Sequence, residues 1–285
     1  MLGSRAHEDA PRGRGEAPHA TVLVLTYNRL PALQRCIDKI ITGARLPYEL
    51  IVVNNASTDG TRDWLDSLDY SFLRVFHHEQ NLFVCGRNTG IAFATGEFII
   101  QVDDDVLVAP GFDEVLLAPY ENAQVGATGQ EGFYQDSTWG LLIDDRRRPR
   151  PGQFCDLVMG YSWSWRNLRS SDRAVRVDGL AAIDLPGSPR FLYDWEFNPF
   201  WHEESDLQLQ IRAAGYRIMV TPEVATHRSL HDWAETKADG PITGETIAAR
   251  NFYKLVDKWS GKDVPFEGPR VGLAGPAPGQ MVPRP

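Results

Sequence analysis

The chain has 285 residues, 42% of them hydrophobic and 24% charged, with a formal net charge of -9. That length and apolar content suffice to bury a full core, which excludes a disordered chain and predicts one domain, with or without an appendage. The acidic balance excludes a protein that coats nucleic acid, because phosphate binding needs a basic face.

The ends differ in composition from the middle. Residues 1–18 and 263–285 are rich in Gly, Pro, Arg and Ala without periodicity and are expected to be flexible tails, leaving residues 19–262 as the ordered body. The beginning of the sequence has no hydrophobic signal region, and no segment approaches the length of a membrane span, so a cytoplasmic protein that meets a membrane at most peripherally is expected. Cys36, Cys85 and Cys155 form no CxxC pair, so neither a disulfide framework nor a zinc ribbon is indicated.

In chain order, "ATVLVLTYN" reads as a β-branched strand. "LPALQRCIDKIIT" places Leu30, Leu33, Cys36, Ile37, Ile40 and Ile41 at helical spacing. "YELIVVNNAS" is a second strand ending in polar residues, and "TRDWLDSL" is a short helix after a "STDG" start signal. "FLRVFHH", "CGRNTGIAFAT" and "EFIIQVDDD" then read as strand, small-residue helix and strand. "RRRPRP", starting at Arg146, is either a solvated loop or an anion contact. Further on, "HEESDLQLQIRAAGY" forms an amphipathic helix with Leu207, Leu209, Ile211 and Ala214 as apolar positions.

Continuous apolar strands alternating with helices predict an α/β fold with a mostly parallel central sheet and helices on both faces. In such sheets ligands bind beyond the carboxyl ends of the strands, which brings "TYN", "NNASTDG" and "DDD" to one edge. Asp103, Asp104 and Asp105 are adjacent carboxylates that repel one another unless a cation makes the cluster favourable. Asp also ends strands and caps turns readily, and that reading stays open beside the first.

Four segments, "VLVLTYNR", "ELIVVNNASTDGT", "NLFVCGRNTGIAFATGEFIIQVDDDV" and "HEESDLQLQIRAAGYRIMVTPEVATH", resemble the family 2 glycosyltransferases in order and spacing, from Thr21 to His227. The resemblance implies a Rossmann-like nucleotide-diphospho-sugar transferase fold of the A type, with residues 19–110 as the nucleotide-sugar-binding half and residues 111–262 as the acceptor-binding half. It implies a UDP, dTDP or GDP sugar as donor, a divalent cation (Mn2+ or Mg2+), and an acceptor hydroxyl on a glycan, lipid-linked intermediate or natural product.

Carried over residue by residue, Thr26 and Tyr27 line the nucleobase pocket, and Asn55 lies beside it. Asn54 stands where the family usually has an Asp that binds the base, so one charge is missing while donor and acceptor capacity remain. Arg29 is either a phosphate contact or a helix-start residue. Arg87 is expected near the diphosphate, although Gly86 and Gly90 in the same segment also suit close helix packing. Asp103 is expected near the ribose, with Asp104 beside it and Asp105 on the metal. His227 is the implied further metal ligand and His231 its alternative.

Glu204 occupies the position of the family's catalytic Asp and is the expected base, with Glu203 as runner-up. Asp206 is expected to serve the helix N-terminus. Of the tryptophans, Trp163, Trp165, Trp195 and Trp201 are candidates for an acceptor pocket, since sugar C–H faces pack on aromatic rings; core packing is the other fate of Trp, and Trp139 belongs to the same cluster. The expected reaction inverts the anomeric centre. A retaining or peptide-directed transferase, or a non-catalytic nucleotide-sugar-binding protein, are the alternatives.

Overall fold

In the computed structural model the residues described are 19–130, 150–155, 157–158, 162–170, 188–227 and 244–264. The expected N-terminal tail, residues 265–285 of the expected C-terminal one, the arginines of "RRRPRP" up to residue 149, Trp139 and His231 lie outside them, whereas Val264 is described and is buried.

The first half alternates as the periodicity predicts. Strand β1 (Ala20–Thr26) leads to helix α1 (Leu30–Gly43), β2 (Tyr48–Asn54) to α2 (Thr61–Asp66), and β3 (Leu73–His77) to α3 (Arg87–Phe93) and β4 (Phe98–Val102). A single 3-10 turn, Phe83–Gly86, precedes α3. The three aspartates are not strand: Val106 N–H donates to the Asp103 carbonyl at 3.0 Å, closing a turn into β5 (Val106–Val108).

Next come α4 (Phe112–Leu117), β6 (Val125–Gln130), β7 (Phe154–Cys155), β8 (Ser162–Arg166), β9 (Arg169–Ser170) and β10 (Ser188–Pro189). Helix α5 (Glu203–Ala213), β11 (Arg217–Thr221), β12 (Ala225–His227) and α6 (Gly244–Trp259) complete the order.

The main sheet has eight strands in the order β3-β2-β1-β4-β8-β6-β11-β7. The block β3-β2-β1-β4 is parallel throughout. Strand β8 then enters antiparallel between β4 and β6, with Trp163 opposite both Gln101 and Gly129. The sheet is therefore mixed beyond β4.

Alternation sends neighbouring residues to opposite faces, and both faces are covered. Val22 and Val24 share one core cluster with Leu33, Ile37 and Ile40 of α1, whereas Leu23 belongs to a second cluster, on the other face, with Ile91 of α3 and Leu207 and Ile211 of α5. Helix α3 comes close to β1 because Gly90 has no Cβ; one placed there would sit 2.1 Å from Leu23 Cδ1. A third cluster, Leu209, Phe197, Leu255 and Trp259, seats α6 against the back of α5.

Candidate active site

The carboxyl ends of β1, β2 and β4 form one rim, and the first contacts on it are between the chain's own charges. Thr26 Oγ1 donates to Asp104 at 2.8 Å, and Arg29 Nη1 donates to Asp104 at 3.1 Å and to Asp105 at 3.2 Å. Arg29 also supplies the carbonyl at which α1 begins, accepting from the N–H groups of Ala32 and Leu33. It thus starts the helix and neutralises two neighbouring acids with one guanidinium. Burial pushes the Asp104 carboxyl up to about 6, against the pull of Arg29 and the Thr26 hydrogen bond. Thr26 is itself buried and committed to Asp104, whereas the Tyr27 ring beside it is 45% exposed.

At the end of β2, Asn54 is buried with both ends of its amide engaged. Its Oδ1 accepts from Ser57 N–H at 3.0 Å, which turns Nδ2 toward His77 Nδ1, 3.0 Å away. His77 Nδ1 must then accept, so Nε2 carries the hydrogen and donates to Asp66 at 2.9 Å. Asn55 is a wall element. Its amide donates to Asn81 Oδ1 and to the Phe83 carbonyl, and its Oδ1 accepts from Leu82 N–H, which pins the turn ahead of α3. Ser57 and Asp59 make turns and start helices: Ser57 Oγ accepts from Asn28 N–H, and Asp59 accepts from the N–H groups of Leu30 and Thr61.

Arg87, the first residue of α3, is buried and donates from Nη2 to Asp103 at 2.8 Å. Its Nε and Nη1 are buried without a hydrogen-bond acceptor. Burial alone would lower the guanidinium, but Asp103, with Tyr193, Glu204 and Glu203 nearby, holds it above its ordinary value. Buried donors left unmade are costly, and an arginine with open N–H groups beside an acidic rim is poised for an anion.

On the far side of Arg87, α5 begins after two consecutive residues in the left-handed region, Trp201 at φ 77° and His202 at φ 67°. Such conformations are costly for non-glycine residues and are kept where the surrounding structure fixes them. They turn the chain so that Glu203 and Glu204 open the helix. Glu203 is buried; Glu204 is partly exposed and accepts from Gln101 Nε2 at 2.7 Å. Burial raises both carboxyls, Asp103 and Glu203 raise Glu204 further, and Arg87 opposes the rise at both.

Asp206 does not cap the helix from its surface. It is fully buried and accepts from Trp259 Nε1 at 2.7 Å and from Lys258 Nζ at 2.8 Å, tying α6 to α5. Lys258 also reaches Asp194 at 2.6 Å.

Trp163 and Trp165 are 1% exposed, with ring centroids 4.5 Å apart in the core beneath β4. Neither offers a ring face to a sugar; they pack, because β8 is an interior strand covered on both faces. Trp195 is partly buried against the same cluster, and Trp201 stands partly exposed one residue before His202. The backbone of His227 pairs with Val106, the residue after Asp105. Among the described residues no three His, Cys, Asp or Glu side chains converge to hold a metal by themselves.

Gln101 and Tyr193 were not singled out by motif. A glutamine inside "FIIQV" was the available signal for the first; nothing in the sequence marks the second.

The model for glycosyl transferase family 2 matches residues 21–176, more than half of the chain. The putative glycosyltransferase EpsH of Bacillus subtilis is 31% identical over 174 residues, covering 57% of this chain and 50% of that protein. The uncharacterized glycosyltransferase YwdF of the same organism is 33% identical over 106 residues, covering 36% and 38%. The chain thus spans half or less of the length of these relatives.

Two solved structures share the fold. GalNAc-T7 with UDP, GalNAc and Mn2+ gives a TM-score of 0.61 at 16% identity, covering 85% of this chain and 49% of that one. TarS 1-349 of S. aureus in complex with UDP-GlcNAc gives 0.58 at 14% identity, covering 86% and 68%. In the described residues no helix is long and apolar enough to cross a membrane. With a parallel β-α block ending in an acidic rim, and with the family model running through all of it, the chain belongs to glycosyl transferase family 2.

Proposed function

We propose that this protein transfers a sugar from a nucleotide diphosphate donor of the UDP, dTDP or GDP type to an acceptor hydroxyl, with inversion and with Glu204 as the base. The observation that carries the reading is Arg87, whose buried Nε and Nη1 hydrogens lack an acceptor beside the acidic rim. A diphosphate supplies oxygens for those donors, and its charge grows as the glycosidic bond breaks.

Residues 19–110 bind the donor and residues 111–262 the acceptor. The exposed Tyr27 ring stacks on the base, and Asn54, held by Ser57 and His77, shapes the floor beneath it. Asp103 lies toward the ribose.

A divalent cation, Mn2+ or Mg2+, fits the donor set. The rim offers hard carboxylate oxygens from Asp105, and a cation of this class takes its remaining ligands from phosphate oxygens and water. The His227 backbone lies across from Val106, which supports His227 as a further ligand. When bound, the ion neutralises charge developing on the diphosphate.

Glu204 is favoured over Glu203 because it is partly exposed, so an acceptor can reach it, while Glu203 is buried. The acceptor O–H gives its proton to Glu204 as its oxygen bonds to the anomeric carbon. The bond from that carbon to phosphate breaks, and its electron pair leaves with the diphosphate. One displacement inverts the centre. Trp201, next to α5, and Trp195 are the aromatic residues for the acceptor sugar. The acceptor is a glycan, a lipid-linked intermediate or a natural product.

The test is a thermal-shift series with UDP, GDP, dTDP and CDP, with and without Mn2+ or Mg2+, on the wild type and on Asp105→Ala. A ligand that binds the folded state raises its melting temperature. The expected result is one nucleotide that stabilises only with metal, with the shift lost in Asp105→Ala. No stabilisation by any nucleotide at saturation would sink the reading.

A further inference from the structure

Gln101 is a polar residue inside an otherwise apolar buried strand, 1% exposed, and both ends of its amide are engaged. The Tyr193 hydroxyl donates to Oε1. Nε2 donates to Glu204 Oε1 at 2.7 Å. The carbonyl end of an amide only accepts and the nitrogen end only donates, so Tyr193 decides which end Glu204 meets.

That order favours the ionised state of Glu204, whose two oxygens both accept, over the carboxyl, which accepts only through its unprotonated oxygen and more weakly. A carboxylate accepts the Gln101 N–H; a carboxyl protonated on that oxygen would meet it hydrogen to hydrogen. Turning the amide over would relieve that clash but point its NH2 group at the Tyr193 hydroxyl. The hydroxyl would then have to accept and send its own hydrogen elsewhere, in a buried site where an unmade hydrogen bond is costly.

Tyr193 itself is fixed from α3. Asn88 Oδ1 accepts from Tyr193 N–H at 2.9 Å, and Asn88 Nδ2 donates to the Tyr193 carbonyl at 2.8 Å. The Arg87 guanidinium carbon lies 5.5 Å from the centre of the tyrosine ring. The charged and titratable groups facing Glu204 are Asp103 from the end of β4, Glu203 from its own helix, Arg87 from α3 and Tyr193. Burial, Asp103 and Glu203 oppose its ionisation, and Arg87 and the Gln101 hydrogen bond favour it.

We infer that Gln101 is a positioning residue for Glu204, holding the carboxylate in its proton-accepting form, and that the Tyr193 hydroxyl fixes the amide in the orientation this requires. The inference rests on Glu204 as the base of the proposed transfer.

The test is a double-mutant cycle read by urea unfolding from about pH 5 to about pH 9, which needs no acceptor. The proteins are the wild type, Gln101→Leu, Glu204→Gln and the double variant, with Tyr193→Phe run in the same backgrounds. Losing this hydrogen bond costs more where Glu204 is ionised, because a charged acceptor makes the stronger bond. The destabilisation by Gln101→Leu should therefore grow with pH, by roughly tenfold in the folding constant, and Tyr193→Phe should follow by about threefold. In the Glu204→Gln background both should be flat with pH. A cost that is equal at every pH, or that varies alike in both backgrounds, overturns the inference and leaves Gln101 as a packing residue. If Gln101→Leu does not fold, the Tyr193→Phe cycle decides by the same criterion. The base assignment fails separately, by undiminished sugar transfer in Glu204→Gln, and that outcome leaves the coupling measurement intact.

Discussion

Arg87 and Asp103 meet at 2.8 Å through one nitrogen of the guanidinium, and the other two nitrogens are buried with nothing to bind. The pair therefore holds Arg87 in place without using up its capacity. Arg87→Lys keeps the charge and loses the fork, so affinity for nucleoside diphosphates should fall by about 10- to 100-fold while affinity for the bare nucleoside stays within about twofold. Calorimetric titration with UDP or GDP against uridine or guanosine checks this. An equal loss for both ligand types would place Arg87 outside the phosphate site.

Glu203 and Glu204 carry carboxyls raised by burial and by Asp103, and Glu203 raises Glu204 further. A raised folded-state value means that stability is fully present below the unfolded carboxylate range and is lost as pH rises through the raised value. Glu204→Gln removes one such group. It should be more stable than the wild type above neutrality, by about 1–3 kcal/mol, with the difference closing below about pH 4. The same variant should lose about 10²- to 10⁴-fold in transfer rate, the range for removal of a general base. Urea melts across pH and a transfer assay read the two effects, and a variant no more stable than wild type at alkaline pH would contradict the first.

Asn54 presents an N–H to His77 Nδ1 because Ser57 holds its oxygen. Asn54→Asp replaces that donor with an acceptor, and the contact then survives only if His77 is protonated on both nitrogens, between two carboxylates. Protonating His77 then gives it a charge-assisted hydrogen bond to each carboxylate, so the variant should gain stability relative to the wild type in acid. Thermal unfolding in a pH series should reveal in the variant an extra slope on top of the one that Glu203 and Glu204 give both proteins. His77→Gln in the same background should erase the extra slope; its persistence would assign the effect to another group.

Asp206 anchors α6 through Trp259 and Lys258. Trp259→Phe keeps most of the ring and removes one donor to a buried carboxylate, which should cost about 1.5–3 kcal/mol. Asp206→Ala leaves Lys258 with Asp194 and the Trp259 N–H unpaired, and should cost about 3–5 kcal/mol. Limited proteolysis should cut first near α6 in both variants. Cleavage elsewhere at wild-type rates would show that the anchor does not govern this helix.

The parallel block was legible because β1, β2 and β4 are apolar on both faces and end in polar residues, a pattern local enough to read from sequence. Asp103, Arg87 and Glu204 stand in segments that the motifs mark, but the pairing of Arg87 with Asp103 is a contact that no motif announces. What the sequence hid is set by pairing across long separations. Trp163 and Trp165 look like a sugar platform until β8 is seen between β4 and β6, which turns their rings into core. Asn55 looks like a ligand residue until the turn at Asn81–Phe83 folds onto it. Gln101 joins Glu204 across 103 positions of sequence, a distance at which no motif operates.

The insertion of β8 also sets an order of events during synthesis. Residues 20–102 complete a parallel block whose last strand, β4, has an open backbone edge, and that edge is closed only when residues 162–166 arrive. Until then a nascent chain carries an apolar strand ready to pair with any neighbour, the exposure that draws chaperones and seeds aggregates. Fragments cut between β4 and β8 should be insoluble, and a ribosome-stalled series would locate the length at which the chain becomes protease-resistant.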